Sequence, residues 1–333
     1  IIGFLLIFLP AHRYFSIDAK REPKLAFTHI PRYNILVIQL MLFIVYFYAG
    51  LAKLNSDWLL RAMPLQIWLP SLYDLPLLGD LFQKQWMHYL MSWSGMLYDL
   101  SIPFLLFYKR TRVFAFVLVV VFHVLTRVLF PIGIFPFVMI LSTLIFFDAA
   151  FHEKIISVLR RFFRLKDQPK KVILEWIPNV KNRIITGLLV VFFTIQFLFP
   201  FRYLMYPDEL FWTEEGYRFS WRVMLMEKSG YTSFKVEHEG GSFMVNNEDF
   251  LTSYQIKQMS FQPDMILEYA HFLGDHFSAQ GFKKVRIFTE SYVALNGRRS
   301  QQFIDPTVDL YQETETFKPK TWILPFKDEI YGL

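Results

Sequence analysis

Long apolar stretches fill the first two thirds of the chain and give way to alternating apolar and polar positions in the last third. The clearest stretch, Tyr33 to Lys53, reads YNILVIQLMLFIVYFYAGLAK, and Gln39 is its one strongly polar residue between Asn34 and Lys53. A helix needs about 20 mostly apolar residues, at about 1.5 Å rise each, to cross a bilayer. By that measure the pattern predicts spans at 33–53, 89–108, 113–130, 132–147 and 184–201. The opening run, Ile1 to Pro10, is too short to cross alone and reads as the end of a helix that starts upstream, so the chain is expected to be a fragment. Leu69 to Phe82 is apolar but broken by Pro70 and Pro76, which predicts a re-entrant or interfacial hairpin.

After about residue 202 the period changes. Ser233 to Val245 alternates around Gly240-Gly241, and Val285 to Asp305 alternates around Asn296-Gly297, which predicts two hairpins. Between them, Ile266, Tyr269, Ala270, Leu273 and Phe277 form one helical stripe within 263–280, with Gly281 as the stop. The expected architecture is therefore an all-α membrane bundle over 1–201, followed over 202–333 by a β-rich soluble domain, either α+β or a β-sandwich.

Composition supports this division. Hydrophobic residues make up 54% of the chain and aromatics 19%, with 38 Phe and 8 Trp, while charged residues make up only 19%. That is more apolar surface than one soluble core needs, and it excludes a disordered polypeptide. The absence of Cys excludes disulfides, thiolate metal sites and a Cys nucleophile. A net charge of +6 first suggests nucleic acid, but the basic residues sit between apolar runs, so no nucleic-acid partner is expected. With six passes, loops 11–32, 109–112 and 149–183 share one side and hold 17 Lys or Arg, whereas the opposite loops hold only Arg61 and Lys84. Cytoplasmic loops retain positive charge, so the expectation is a multi-pass integral membrane protein whose C-terminal domain is not cytoplasmic.

Few residues offer chemistry. Lys53 follows Ala49-Gly50 at the end of an apolar run; an ammonium among apolar groups is disfavoured against its neutral amine, which is a base. The competing reading is a Lys that snorkels to the headgroups. His123 lies deep in VLVVVFHVLTRVLF, where an ionisable group faces a bundle interior or cavity, or makes one interhelical hydrogen bond. Asp99 is similar, and Arg127, His123 and Lys53 are its possible partners. His271 and His276 are five apart and do not share a helix face, so no metal site is expected. WTEEGYRFSW at 212–221 suits either polypeptide binding or an interfacial aromatic belt.

Five segments, taken together, resemble a known family: VYFYAGLAKLNSDW at 45–58, GMLYDLSIPFLLF at 95–107, FHVLTRVLFPIGIFPFVM at 122–139, WTEEGYRFSW at 212–221 and QQFIDPTVDL at 301–310. Each motif alone is weak, but the five in register through nearly the whole chain are specific. The chain resembles the vitamin K-dependent gamma-glutamyl carboxylases and their bacterial relatives with the horizontally transferred transmembrane domain. The resemblance implies oxygenation of vitamin K hydroquinone by O2 to an epoxide. This is coupled to removal of a γ-proton from peptidyl glutamate and addition of CO2, with no metal. It places the initiating base on Lys53 and the quinol-orienting histidine on His123, with Asp99 and Arg127 on the quinol side. The glutamate-binding segment falls on 212–228, with Trp212, Tyr217, Trp221 and the cationic Lys228 at the substrate carboxylate. Tyr203 stands where the family has a histidine, and a second quinone-holding histidine of the family falls upstream of Ile1. The implied partners are the bilayer, a quinone and a glutamate-containing polypeptide. A relative that only epoxidises the quinol stays open. So do a transporter or receptor with a polar path through Lys53, Asp99 and His123, and an anchor for a secreted partner.

Overall fold

The computed structural model describes residues 1–13, 16–22, 24, 29–163 and 180–332, with side chains from 183 onward in the last stretch. Arg164, Lys166, Lys170 and Lys171, counted above in a basic loop, lie outside the described residues. The chain forms two compact units. One comprises residues 1–48 and 97–198, and the other residues 49–96 and 199–333.

The first unit is helical. Among the described residues of the whole chain, four helices are long and apolar enough to cross a membrane: Arg32–Leu51, Gln85–Phe107, Arg112–Leu129 and Arg183–Met205. Two bent pairs, Ile2–Phe8 with Ala11–Arg21 and Phe135–Phe146 with Ala149–Phe162, raise the number to six if each is one span. Arg112–Leu129 shows why such a Val-rich sequence is helical. Ala115, Val119 and His123, four residues apart, form its buried face, while Val117, Val121, Val124 and Val128 are exposed and equally apolar. A helix that is apolar all round suits lipid, where every backbone group must be satisfied within the segment. The expected span at 132–147 is shorter than its pattern. The helix Phe135–Thr143 tightens into a 3-10 turn at Leu144–Phe146, and the chain turns by 117° into Ala149–Phe162. Asp148 at that corner pairs with Lys109 at 3.3 Å and Arg112 at 3.5 Å.

The second unit carries the sheet. Strands β1 (Lys228–His238), β2 (Gly241–Met244), β3 (Arg286–Leu295) and β4 (Gln301–Gln302) are antiparallel in the order β2-β1-β3-β4. The β1–β2 hairpin turns at Glu239-Gly240, with His238 opposite Gly241, close to its expected centre. Helix Ser253–Met259 begins with a reciprocal capping box between Thr252 and Gln255. Helix Pro263–Ala279 buries the expected stripe, with Tyr269 edge-on to Phe234 of β1 at 5.0 Å. One sheet backed by helices makes this domain α+β. Residues 65–82 form short helical turns: Leu65–Trp68, Pro70–Leu72 and Gly79–Phe82.

The second hairpin forms its turn but not its ladder. Asn296 and Gly297 both have positive φ, +48° and +72°, and Arg298 N–H donates to the Leu295 carbonyl at 3.0 Å. That is the two-residue turn expected from Asn-Gly. Pairing resumes only at Gln301 and Gln302, and at the turn Asn296 and Arg298 bind the Asp57 carboxylate outside the sheet.

Candidate active site

Lys53 lies between the end of helix Arg32–Leu51 and the start of helix Ser56–Arg61. The sequence sets this break locally: Asn55 caps the second helix by accepting from Trp58 N–H at 2.9 Å and donates to the Ala52 carbonyl at 2.8 Å. Lys53 is 7% exposed. Its Nζ donates to the Ala49 carbonyl at 3.1 Å and lies 5.3 Å from the centre of the Trp58 ring. Trp58 is itself fixed: its Nε1 donates to the Ser92 carbonyl at 2.8 Å, and the Ser92 hydroxyl donates back to the Trp58 carbonyl. The amine thus has an aromatic wall, a carbonyl acceptor and little contact with solvent.

In the helical unit, His123 is 2% exposed, and its Nε2 lies 2.9 Å from the hydroxyl of Tyr46. Its Nδ1 is buried and has no hydrogen-bond partner among the described residues. The rings of Tyr46, Phe122 and Phe135 surround the imidazole at 6.0, 5.3 and 6.1 Å between centroids, and Tyr98 stacks on Phe122 at 4.0 Å. The buried Nδ1 without a partner is a group that fits one oxygen of an aromatic diol. Asp99 is buried in the same unit, and Arg127 is exposed.

Segment 212–228 forms the third cluster. Trp212 is completely buried, donating from Nε1 to the Leu324 carbonyl at 2.8 Å with Phe303 edge-on at 4.8 Å. Lys228, also buried, donates to the Trp212 carbonyl at 2.7 Å and to Glu214 Oε1 at 2.9 Å. Burial pushes the Lys228 ammonium below its ordinary value, and the Glu214 charge opposes that shift. Both side chains are therefore engaged inside the domain, while Tyr217 and Trp221 are half-buried. Tyr203, also half-buried, lies under the guanidinium of Arg222 at 4.6 Å.

This segment is strained. Glu214, Phe219, Trp221 and Met224 all have φ between +55° and +60°, and Gly216 has φ +79°. Each such non-glycine residue costs about 1–3 kcal/mol, and strain of this kind clusters at ligand clamps and active sites. Two buried polar atoms here, Glu215 Oε2 and Trp221 Nε1, have no hydrogen-bond partner among the described residues. Burial raises the Glu215 carboxyl above its ordinary value, against the pull of the Lys320 backbone N–H that it accepts. Among the described residues, no group of three His, Cys, Asp or Glu could hold a metal ion.

The structure joins residues that spacing does not connect. Asp57, wholly buried, accepts from Arg298 through both carboxylate oxygens, at 2.6 and 2.8 Å, and from Asn296 at 2.8 Å. Asp57 lies inside the 45–58 motif, where a charged residue beside an apolar run was a usable signal. Arg298 and Tyr46 carried none, since their partners lie 241 and 77 residues away.

The family model of the HTTM domain matches residues 1–151. That of the vitamin K-dependent gamma-carboxylase lumenal domain matches residues 181–329. No solved structure matches the chain. The first match covers the long apolar helices up to residue 151 together with Lys53 and His123, and the second covers the strained segment and the sheet. With both in the expected order, the chain belongs to the gamma-carboxylase family.

Proposed function

We propose that this carboxylase-like membrane protein oxygenates a vitamin K-type hydroquinone with O2 and couples that reaction to γ-carboxylation of glutamate in a polypeptide. The observation that carries this reading is Lys53 itself: a nearly solvent-free amine, at the family's AGxxKL position, held against the Trp58 ring and the Ala49 carbonyl. In this reading the Lys53 amine takes a proton from an acidic quinol hydroxyl at a site that excludes water. Bound hydroquinone, together with O2, supplies the strong base that removes the glutamate γ-proton.

The chain's residues divide the remaining work. Lys53 Nζ accepts the first proton. His123 orients the quinol through its unpartnered Nδ1 while Tyr46 holds its Nε2. Asp99 and Arg127 belong to the quinol side. The polypeptide glutamate meets segment 212–228, where Tyr217 and Trp221 are half-buried and the contacts of Lys228 to Trp212 and Glu214 hold the segment together. Tyr203 supports the segment through Arg222. The protein crosses the membrane several times, with its C-terminal domain on the non-cytoplasmic side, as the 17-to-2 distribution of basic residues supports.

Lys228 favours a second reading: its ammonium is already engaged by Glu214 and by the Trp212 carbonyl, and a protein that oxygenates the quinol without carboxylation needs no cation for a substrate carboxylate. One assay separates the two. Purified protein is given vitamin K hydroquinone, O2, a glutamate-rich peptide and labelled CO2, and both epoxide and peptide label are measured. The coupled reading expects both products, and expects Lys53→Ala to lose both. Epoxide without peptide label supports the second reading, and CO2 fixation surviving in Lys53→Ala overturns the order of steps.

A further inference from the structure

We infer that Asp57, clamped by Arg298 and Asn296, is a positioning residue that sets Lys53 in register for proton transfer; the inference rests on Lys53 being the base. Asp57 has no solvent exposure, and its carboxylate accepts a bidentate pair from Arg298 and a third bond from Asn296. Each donor is fixed in turn. Arg298 Nε donates to Asp328 at 2.5 Å. Asn296 is buried at the left-handed turn position, accepts from Glu227 N–H at 2.8 Å, and donates its own N–H to the Glu227 carbonyl at 2.9 Å. Glu227 is also held, accepting from Trp68 Nε1 at 2.7 Å.

The same short helix is gripped a second time. Ser56 N–H donates to the Tyr331 carbonyl at 2.7 Å, and Tyr331 N–H donates back to the Ser56 hydroxyl at 3.1 Å. Gly332 packs so closely on Leu54 and Asn55 that a Cβ there would lie 2.2 Å from the Leu54 carbonyl oxygen. Helix Ser56–Arg61 is only six residues long, too short to hold its own orientation. Asp57 and Ser56 grip the helix from one side while Ser92 holds Trp58 from another, and the helix carries Trp58, the ring under the Lys53 amine. A buried ion pair is weak evidence of net stability, since apolar replacement is often as stable. Here the pair fixes a geometry. Proton transfer needs heavy atoms within about 2.6–3.2 Å, and a misplacement of about 1 Å costs about 100-fold. The step is simple: a quinol O–H bond breaks, an Nζ–H bond forms, and the electron pair stays on the quinol oxygen.

The test separates position from fold. Epoxide formation is measured for Asp57→Asn and Arg298→Lys, and again with each placed on Lys53→Ala and a small primary amine supplied in solution as the base. We expect Asp57→Asn to lower kcat by roughly 10- to 100-fold with KM for the hydroquinone nearly unchanged. We expect a smaller loss for Arg298→Lys, which keeps the charge but not the two-pronged contact. With the untethered amine, Lys53→Ala/Asp57→Asn should turn over as fast as Lys53→Ala, because a free base has no tether to misplace. Equal losses in both backgrounds would overturn the proposal, as would an unchanged kcat in Asp57→Asn. Full activity in Lys53→Ala, or no response to added amine, would instead count against Lys53 as the base.

Discussion

The two units of the chain solve burial in opposite ways. Helices of the first unit turn apolar side chains both inward and outward, as in Arg112–Leu129, and a polar contact in their interior, such as Tyr46 with His123, is local. The second unit exposes fewer large apolar side chains and links its buried polar groups into extended networks: Asp57 with Asn296 and Arg298, Asn296 with Glu227, Glu227 with Trp68. The difference follows from the surroundings of each. Where lipid is the expected solvent, apolar surface costs nothing and a polar contact has only modest value. In a water-facing domain, a buried carboxylate must be fully paired or it is strongly destabilising.

The comparison can be broken most directly at Asp57. Asp57→Ala leaves the Arg298 guanidinium, 8% exposed, with the half-exposed Asp328 as its carboxylate among the described residues, so a loss of about 3 kcal/mol is expected in chemical denaturation of the detergent-solubilised protein. Gly216→Ala comes next. It puts a Cβ at φ +79°, 2.6 Å from Tyr203 Cα, and should cost about 2 kcal/mol and weaken peptide binding in a titration more than hydroquinone binding. In the helical unit, Tyr46→Phe removes the hydrogen bond to His123 and should cost only about 0.6 kcal/mol in the same denaturation, despite its depth. The smallest effect is one of pH. Burial would raise the Asp264 carboxyl, but Lys320 and Arg218 outweigh it and hold it below its ordinary value of 3.8. Its stabilisation is present above that value and is lost as pH falls through the lower folded one, so Asp264→Asn should flatten the acid limb of a stability profile.

Much of this was legible in the sequence, and the parts that were not share a cause. The long apolar runs, the helix at 263–279 and the hairpin at Gly240 follow from local period and turn chemistry, which a single chain displays. The sharp bend after Phe146 was not visible, because residues 132–147 are apolar but for Ser142 and Thr143 and hydropathy carries no direction. Lys53 and His123 stand out in the sequence because a charged or titratable residue inside an apolar run is costly wherever it points, and both are buried in the structure. Lys228 was read as a cation awaiting a carboxylate, yet its partner Glu214 lies 14 residues upstream, on the segment it was expected to serve. Arg298 carries no sequence signal of its own. Only the fold brings it to Asp57, 241 residues away.

The central claim is that this chain directs molecular oxygen onto a quinol. Its most direct measurement is mass spectrometry of the quinone product after turnover of vitamin K hydroquinone under 18O2 in ordinary water. The account predicts an epoxide whose added oxygen carries the 18O label, absent when Lys53→Ala replaces the native chain. Unchanged quinone, or an epoxide labelled equally well without Lys53, would contradict it.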